Sequence, residues 1–128
     1  MYPFRKTIEG GLPAIMTGHL LFPAIDPIYP ATISKKILTG ILRDTFGFQG
    51  VIISDDLEMK GISNNFSMEE IALKAVEAGL DIFLCCHTLA EQKKILSTLR
   101  NLYEKGREIR EKIDASILRI QKLKSWLL

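Results

Sequence analysis

Three short apolar runs punctuate the chain: "AIMTGH" at 14–19, "GVIIS" at 50–54 and "DIFLCCH" at 81–87. A strand with one wet face would alternate apolar and polar residues, and these runs are too continuous for that, so they predict parallel strands buried on both sides. Helical periods fill the intervals. "SKKILTGILRDTFG" offers Ser34 as an N-cap, sets Ile37, Leu38, Ile41 and Leu42 on one stripe, and stops at Gly47. "SMEEIALKAVEAG" starts at Ser67, carries Glu70 where a capping box needs it, and ends at Gly79. A third helix is expected from about Thr88 to Tyr103. Gly10, Gly50 and Gly79 each stand just before an expected strand, where a left-handed turn favours glycine.

Strand alternating with helix argues for parallel βαβ units, and the strand spacing of roughly 30 to 37 residues suits right-handed crossovers in a doubly wound sheet or a barrel. A (β/α)8 barrel takes about 250 residues. A chain of 128 residues would then hold only the last part of one, within a single domain spanning 1–128. The tail "IDASILRIQKLKSWLL" is amphipathic, with Ile113, Ile117, Ile120, Leu123 and Leu127 on one side and basic residues on the other. A terminal helix packed on the body is the expectation, against a membrane-surface or nucleic-acid helix.

Composition narrows the function classes. Hydrophobic residues make up 47% and charged residues 25%, the mix of a soluble globular domain. Lys and Arg number 17 against 15 Asp and Glu, so no strong field for polyanions exists and nucleic acid is not an expected partner. Cys85 and Cys86 are adjacent, which makes a bridge between them strained; they read as reduced, buried thiols and favour a cytoplasmic setting. With no apolar leader core at the N-terminus and no run approaching ~20 apolar residues, neither export nor a membrane span is expected.

In parallel α/β folds ligands lie beyond the carboxyl ends of the strands, where loops converge on a rigid base. His19, the pair Asp55 and Asp56, and His87 fall at such ends. Asp55 could project into a pocket, while Asp56 could face the adjoining loop; either carboxylate could instead satisfy loop N–H groups or cap the short "LEMKGI" segment. His19 is compatible with a structural role, and His87 with the start of the following helix. C-x-x-C, H-E-x-x-H, G-x-x-x-x-G-K-[ST] and G-x-S-x-G are all absent, leaving lone carboxylates, whose nucleophilic use belongs above all to glycoside chemistry.

The segments "AIMTGHLLFPAIDPIYPATIS", "ILTGILRDTFGFQGVIISDDLEMKGI" and "AVEAGLDIFLCC" resemble family-3 glycoside hydrolases, specifically the bacterial β-N-acetylhexosaminidases (β-N-acetylglucosaminidases) of peptidoglycan recycling. The resemblance implies the last three β/α units of a TIM-type barrel plus its C-terminal helix. It places the catalytic nucleophile, the aspartate after the Ser of "SDDL", on Asp55, and gives Asp56 no catalytic role. It further implies retaining hydrolysis through a glycosyl-enzyme ester, no metal or organic cofactor, and an N-acetylglucosamine-containing saccharide as substrate. His19 is expected near the pocket floor as a substrate contact.

In that family the acid/base is a His held by an Asp in a loop N-terminal to this region, beside a "KHFPGHG"-like segment, and this chain carries neither. General acid catalysis typically contributes ~10² to 10⁴-fold, so little activity is expected from the chain alone. A three-strand sheet would also leave unpaired edges and apolar side chains uncovered. An upstream polypeptide bearing the other strands, or self-association, would cover them. The competing expectation is therefore a non-catalytic remnant or interaction module that pairs through its open sheet. Another barrel enzyme, such as an aldolase, lacks a lysine at a strand end.

Overall fold

The computed structural model describes residues 2–126. A three-stranded parallel sheet forms in the order β1 (Ala14–Met16), β2 (Val51–Asp56), β3 (Ile82–Leu84). β1 and β2 pair in register from Ala14 against Val51 to Met16 against Ile53. Five α-helices accompany the sheet: α1 (Tyr2–Glu9), the single turn α2 (Lys60–Ser63), α3 (Met68–Ala78), α4 (Leu89–Lys105) and α5 (Arg107–Trp126). A 3-10 turn at Ala31–Ile33 leads into a further helix, Lys36–Thr45.

The three apolar runs do form parallel strands, but beyond Val51, which is 1% exposed, one face of the sheet is left partly open. Ile52 lies in the core with Leu38, Phe48, Ile71 and Ala75 from the flanking helix and loop segments. On the opposite face Met16 is 58% exposed, and its register partner Ile53 and Ile82 beyond it are half-buried. The expectation of strands buried on both sides is corrected accordingly: it holds at Val51 and Ile52, while toward the carboxyl end the described elements leave the second face partly open.

The helix after β1 also departs from expectation. Ser34 Oγ accepts the Ile37 N–H at 3.3 Å, as a cap should, yet the helix Lys36–Thr45 is wound as a π-helix, and the Phe46 N–H bonds the Ile41 carbonyl five residues back. Its Arg43 guanidinium donates to the carbonyls of Phe48, Gly50 and Gly79 and to Asp81 Oδ2 at 2.7 Å. Periodicity cannot foresee a winding that accompanies so distant an anchor. α3 matches its signature: Ser67 and Glu70 complete a capping box, and Gly79 closes it at φ 93°.

Only Gly79 of the three glycines placed before strands has positive φ; Gly11 and Gly47 supply the other left-handed positions. Gly50 is required for a different reason, since a Cβ there would run into the Pro13 carbonyl and the Phe48 ring. At this amino end of the sheet, buried Asp81 accepts from Arg43, from Arg119 and Ser116 of α5, and from the Ile52 N–H. α5 is thereby bolted beneath β2 and β3, in accord with a packed terminal helix. Leu127, assigned to its apolar stripe, lies outside the described residues.

Candidate active site

β2 carries Asp55 and Asp56 as its last two residues, so both belong to the strand and not to the loop after it. Register and alternation put Asp55 on the same face as Met16 and Ile53, the partly open one. Its backbone N–H is fixed to the Thr17 carbonyl at 3.2 Å, and its Oδ1 accepts the Asp56 N–H at 2.8 Å. Oδ2 has no hydrogen-bond partner among the described residues, and it does not figure among the buried unpaired polar atoms, so it is open to solvent. One oxygen is held and the other is free to react.

Asp56 is spent on the neighbouring loop. Its Oδ1 accepts from the Glu58 and Cys86 N–H groups, both at 3.2 Å, and its Oδ2 faces His87 Nε2 at 2.9 Å. His87 is 74% exposed and lies just before Thr88, the N-cap of α4. The pairing of Asp56 with the adjoining loop was one of the alternatives left open by the sequence.

His19 is half-buried, with Nδ1 at 2.8 Å from Thr32 Oγ1 and Nε2 at 2.9 Å from the Asp56 carbonyl. A carbonyl only accepts, so Nε2 carries a proton and donates it to the Asp56 carbonyl. Both ring nitrogens are therefore engaged inside the protein.

Glu58 was not singled out from sequence. Its Oε2 accepts from the N–H groups of His87 (2.7 Å) and Thr88 (3.0 Å) and from the Cys85 thiol (3.4 Å). Hydrogen bonding from Thr88, then from the His87 backbone, outweighs desolvation and holds the carboxyl at about 2. The same neighbourhood pushes Cys85 up to about 12, chiefly through burial and secondarily through Glu58. Glu58 thus caps α4 from another element, a role signalled only by the lack of any side-chain cap from Thr88 itself. Among the described residues no cluster of His, Cys, Asp or Glu could hold a metal ion, and no helix is long and apolar enough to cross a membrane.

The chain as a whole has relatives among known proteins. The description of the glycosyl hydrolase family 3 N-terminal domain matches residues 1–123. The chain belongs to glycosyl hydrolase family 3. It is 42% identical over 98 residues to a β-hexosaminidase of Nitrosomonas eutropha, covering 77% of this chain and 28% of that protein. Among solved structures, a family-3 β-N-acetylglucosaminidase from Paenibacillus sp. superposes with a TM-score of 0.91 at 44% identity, over 96% of this chain and 24% of that one. The β-N-acetylglucosaminidase from Thermotoga maritima gives 0.85 at 39% identity, over 94% and 27%. The family-3 chain described here thus spans about a quarter of the length of these relatives.

Proposed function

We propose that Asp55 is the nucleophile of a retaining glycosidase acting on terminal N-acetyl-β-glucosaminides, peptidoglycan fragments among them. The observation that carries the reading is the asymmetry of its carboxylate, with Oδ1 held by the Asp56 N–H and Oδ2 open on the partly open sheet face. In the reaction Oδ2 attacks the anomeric carbon, the bond to the leaving oxygen breaks, and that oxygen takes a proton from a general acid. Water then attacks the anomeric carbon from the face the leaving group vacated, opposite Asp55, giving its proton to the now deprotonated general acid and releasing the carboxylate, for net retention.

His19 has no free ring nitrogen to serve as that acid, so the acid is assigned to polypeptide outside these 128 residues, as part of a (β/α)8 barrel whose last three units this chain supplies. Alone it is expected to hydrolyse substrates with poor leaving groups feebly. The unbridged cysteines support a cytoplasmic setting.

The test removes the need for a proton donor. A fluorinated N-acetyl-β-glucosaminyl fluoride, whose leaving group departs unprotonated, should glycosylate the peptide bearing Asp55, as read by mass spectrometry, and should leave Asp55→Ala unlabelled. Labelling that persists in Asp55→Ala, or none in the wild type, overturns the assignment.

The exposure of Met16 also favours a second reading, an interaction module that pairs through its sheet with another copy or with a chain bearing further strands. Sedimentation should then show self-association that Met16→Lys weakens; a concentration-independent monomer would count against it.

A further inference from the structure

We propose that His19 is a positioning residue that aims the Asp55 carboxylate by pinning the backbone of Asp56. The inference deepens the glycosidase reading, but its geometric content stands apart from it. It begins with an interruption of the sheet. β2 pairs with β3 at Ile53 against Ile82 and again at Asp56 against Leu84, with a register shift between. Ser54 Oγ takes the Leu84 N–H, and the Leu57 N–H returns to the Leu84 carbonyl. Asp56 stays paired with Leu84, but its own peptide groups are held elsewhere: its N–H goes to Asp55 Oδ1 and its carbonyl to His19 Nε2. Without the His19 bond the Asp56 carbonyl would have no partner to fix it, and the peptide group next to the Asp55 carboxylate could swing.

His19 is itself anchored. Thr32, fully buried, lies 2.8 Å from Nδ1, 2.9 Å from Thr17 Oγ1 and 3.2 Å from the Gly18 carbonyl. The ring therefore links a buried hydroxyl pair behind β1 to the residue that holds the nucleophile. The Asp56 side chain braces the other flank through Cys86 N–H and His87. Residue 56 is fixed from both adjoining strand ends, and the only carboxylate oxygen of Asp55 left without a partner among the described residues is the one on the open side. Histidine suits the task because its two ring nitrogens, fixed on one rigid ring, reach the 56 carbonyl and the Thr32 hydroxyl together.

Two NMR readouts on the full chain test this. Three-bond couplings about χ1 of Asp55 should report one rotamer in the wild type and rotamer averaging in His19→Ala. Amide exchange at Asp56 should accelerate by about 10-fold in His19→Ala, with the Ile52 amide, bonded to Asp81 at the other end of the strand, as an unchanged control. His19→Gln keeps an N–H donor to the 56 carbonyl and should restore both readouts. The isosteric Thr32→Val, which removes the Nδ1 partner, should give a smaller loss in the same direction. A single retained Asp55 rotamer in His19→Ala, or a change shared equally by the Ile52 amide, overturns the proposal. Absence of sugar labelling at Asp55 while the His19 dependence holds would refute the glycosidase reading and leave this coupling standing.

Discussion

Asp55 and Asp56 carry the same side chain in adjacent positions, yet the pleat of β2 turns one toward an open face and the other toward the β3–α4 loop. Their different prospects follow from that alternation and not from their chemistry. Glu58 extends the loop clamp. Because its folded value is depressed to about 2, its contribution is complete above the ordinary glutamate range near 4.5 and is lost as the pH falls through about 2. Exchange at the His87 and Thr88 amides should therefore stay slow down to about pH 3, well below the point at which an ordinary carboxylate releases its partners. Glu58→Gln should remove that pH dependence. The cysteines give a second check: Cys86 is exposed, whereas Cys85 is held as a thiol by burial and by Glu58. An alkylating reagent at pH 8 should modify Cys86 at least ~10-fold faster than Cys85, and Glu58→Gln should narrow the gap.

At the level of helices and turns, cap signatures translated directly into structure where every participant is local. Ser67, Glu70 and Gly79 all lie within one helix, and each does what its spacing implies. The glycines show where local reading fails. Gly79 needs a left-handed backbone with room beside it, so Gly79→Ala should cost about 1 kcal/mol by denaturant titration. Gly50 has no positive φ but faces the Pro13 carbonyl and the Phe48 ring, backbone and a packed core group that cannot withdraw. Gly50→Ala should therefore cost more than Gly79→Ala, about 2 to 3 kcal/mol, although a turn-based reading ranks the two alike. The π-wound segment Lys36–Thr45 belongs with Gly50, since its anchors lie on other elements.

Across the entire fold, α5 and the helix Lys36–Thr45 meet at Asp81, a buried carboxylate shared by Arg43, Arg119, Ser116 and the Ile52 N–H. Burial lowers the Arg43 value and Asp81 opposes that shift, so the pair is held by mutual need. Asp81→Ala should destabilise by about 3 to 5 kcal/mol in a urea titration, because it strands Arg43 without its counter-charge, while an exposed pair such as Arg107 with Glu111 should contribute less than about 1 kcal/mol. The strands, the capped helices, the amphipathic tail and the carboxylates at a strand end were legible as linear order, because propensity, capping and alternation act over a few residues. Beyond reach of any such reading were the partners of those groups: which sheet face is left partly open, which oxygen of Asp55 is held, why His19 has no nitrogen to spare and how Asp81 gathers two arginines 76 positions apart. Each depends on distances between residues remote in the chain, and only packing in three dimensions sets those.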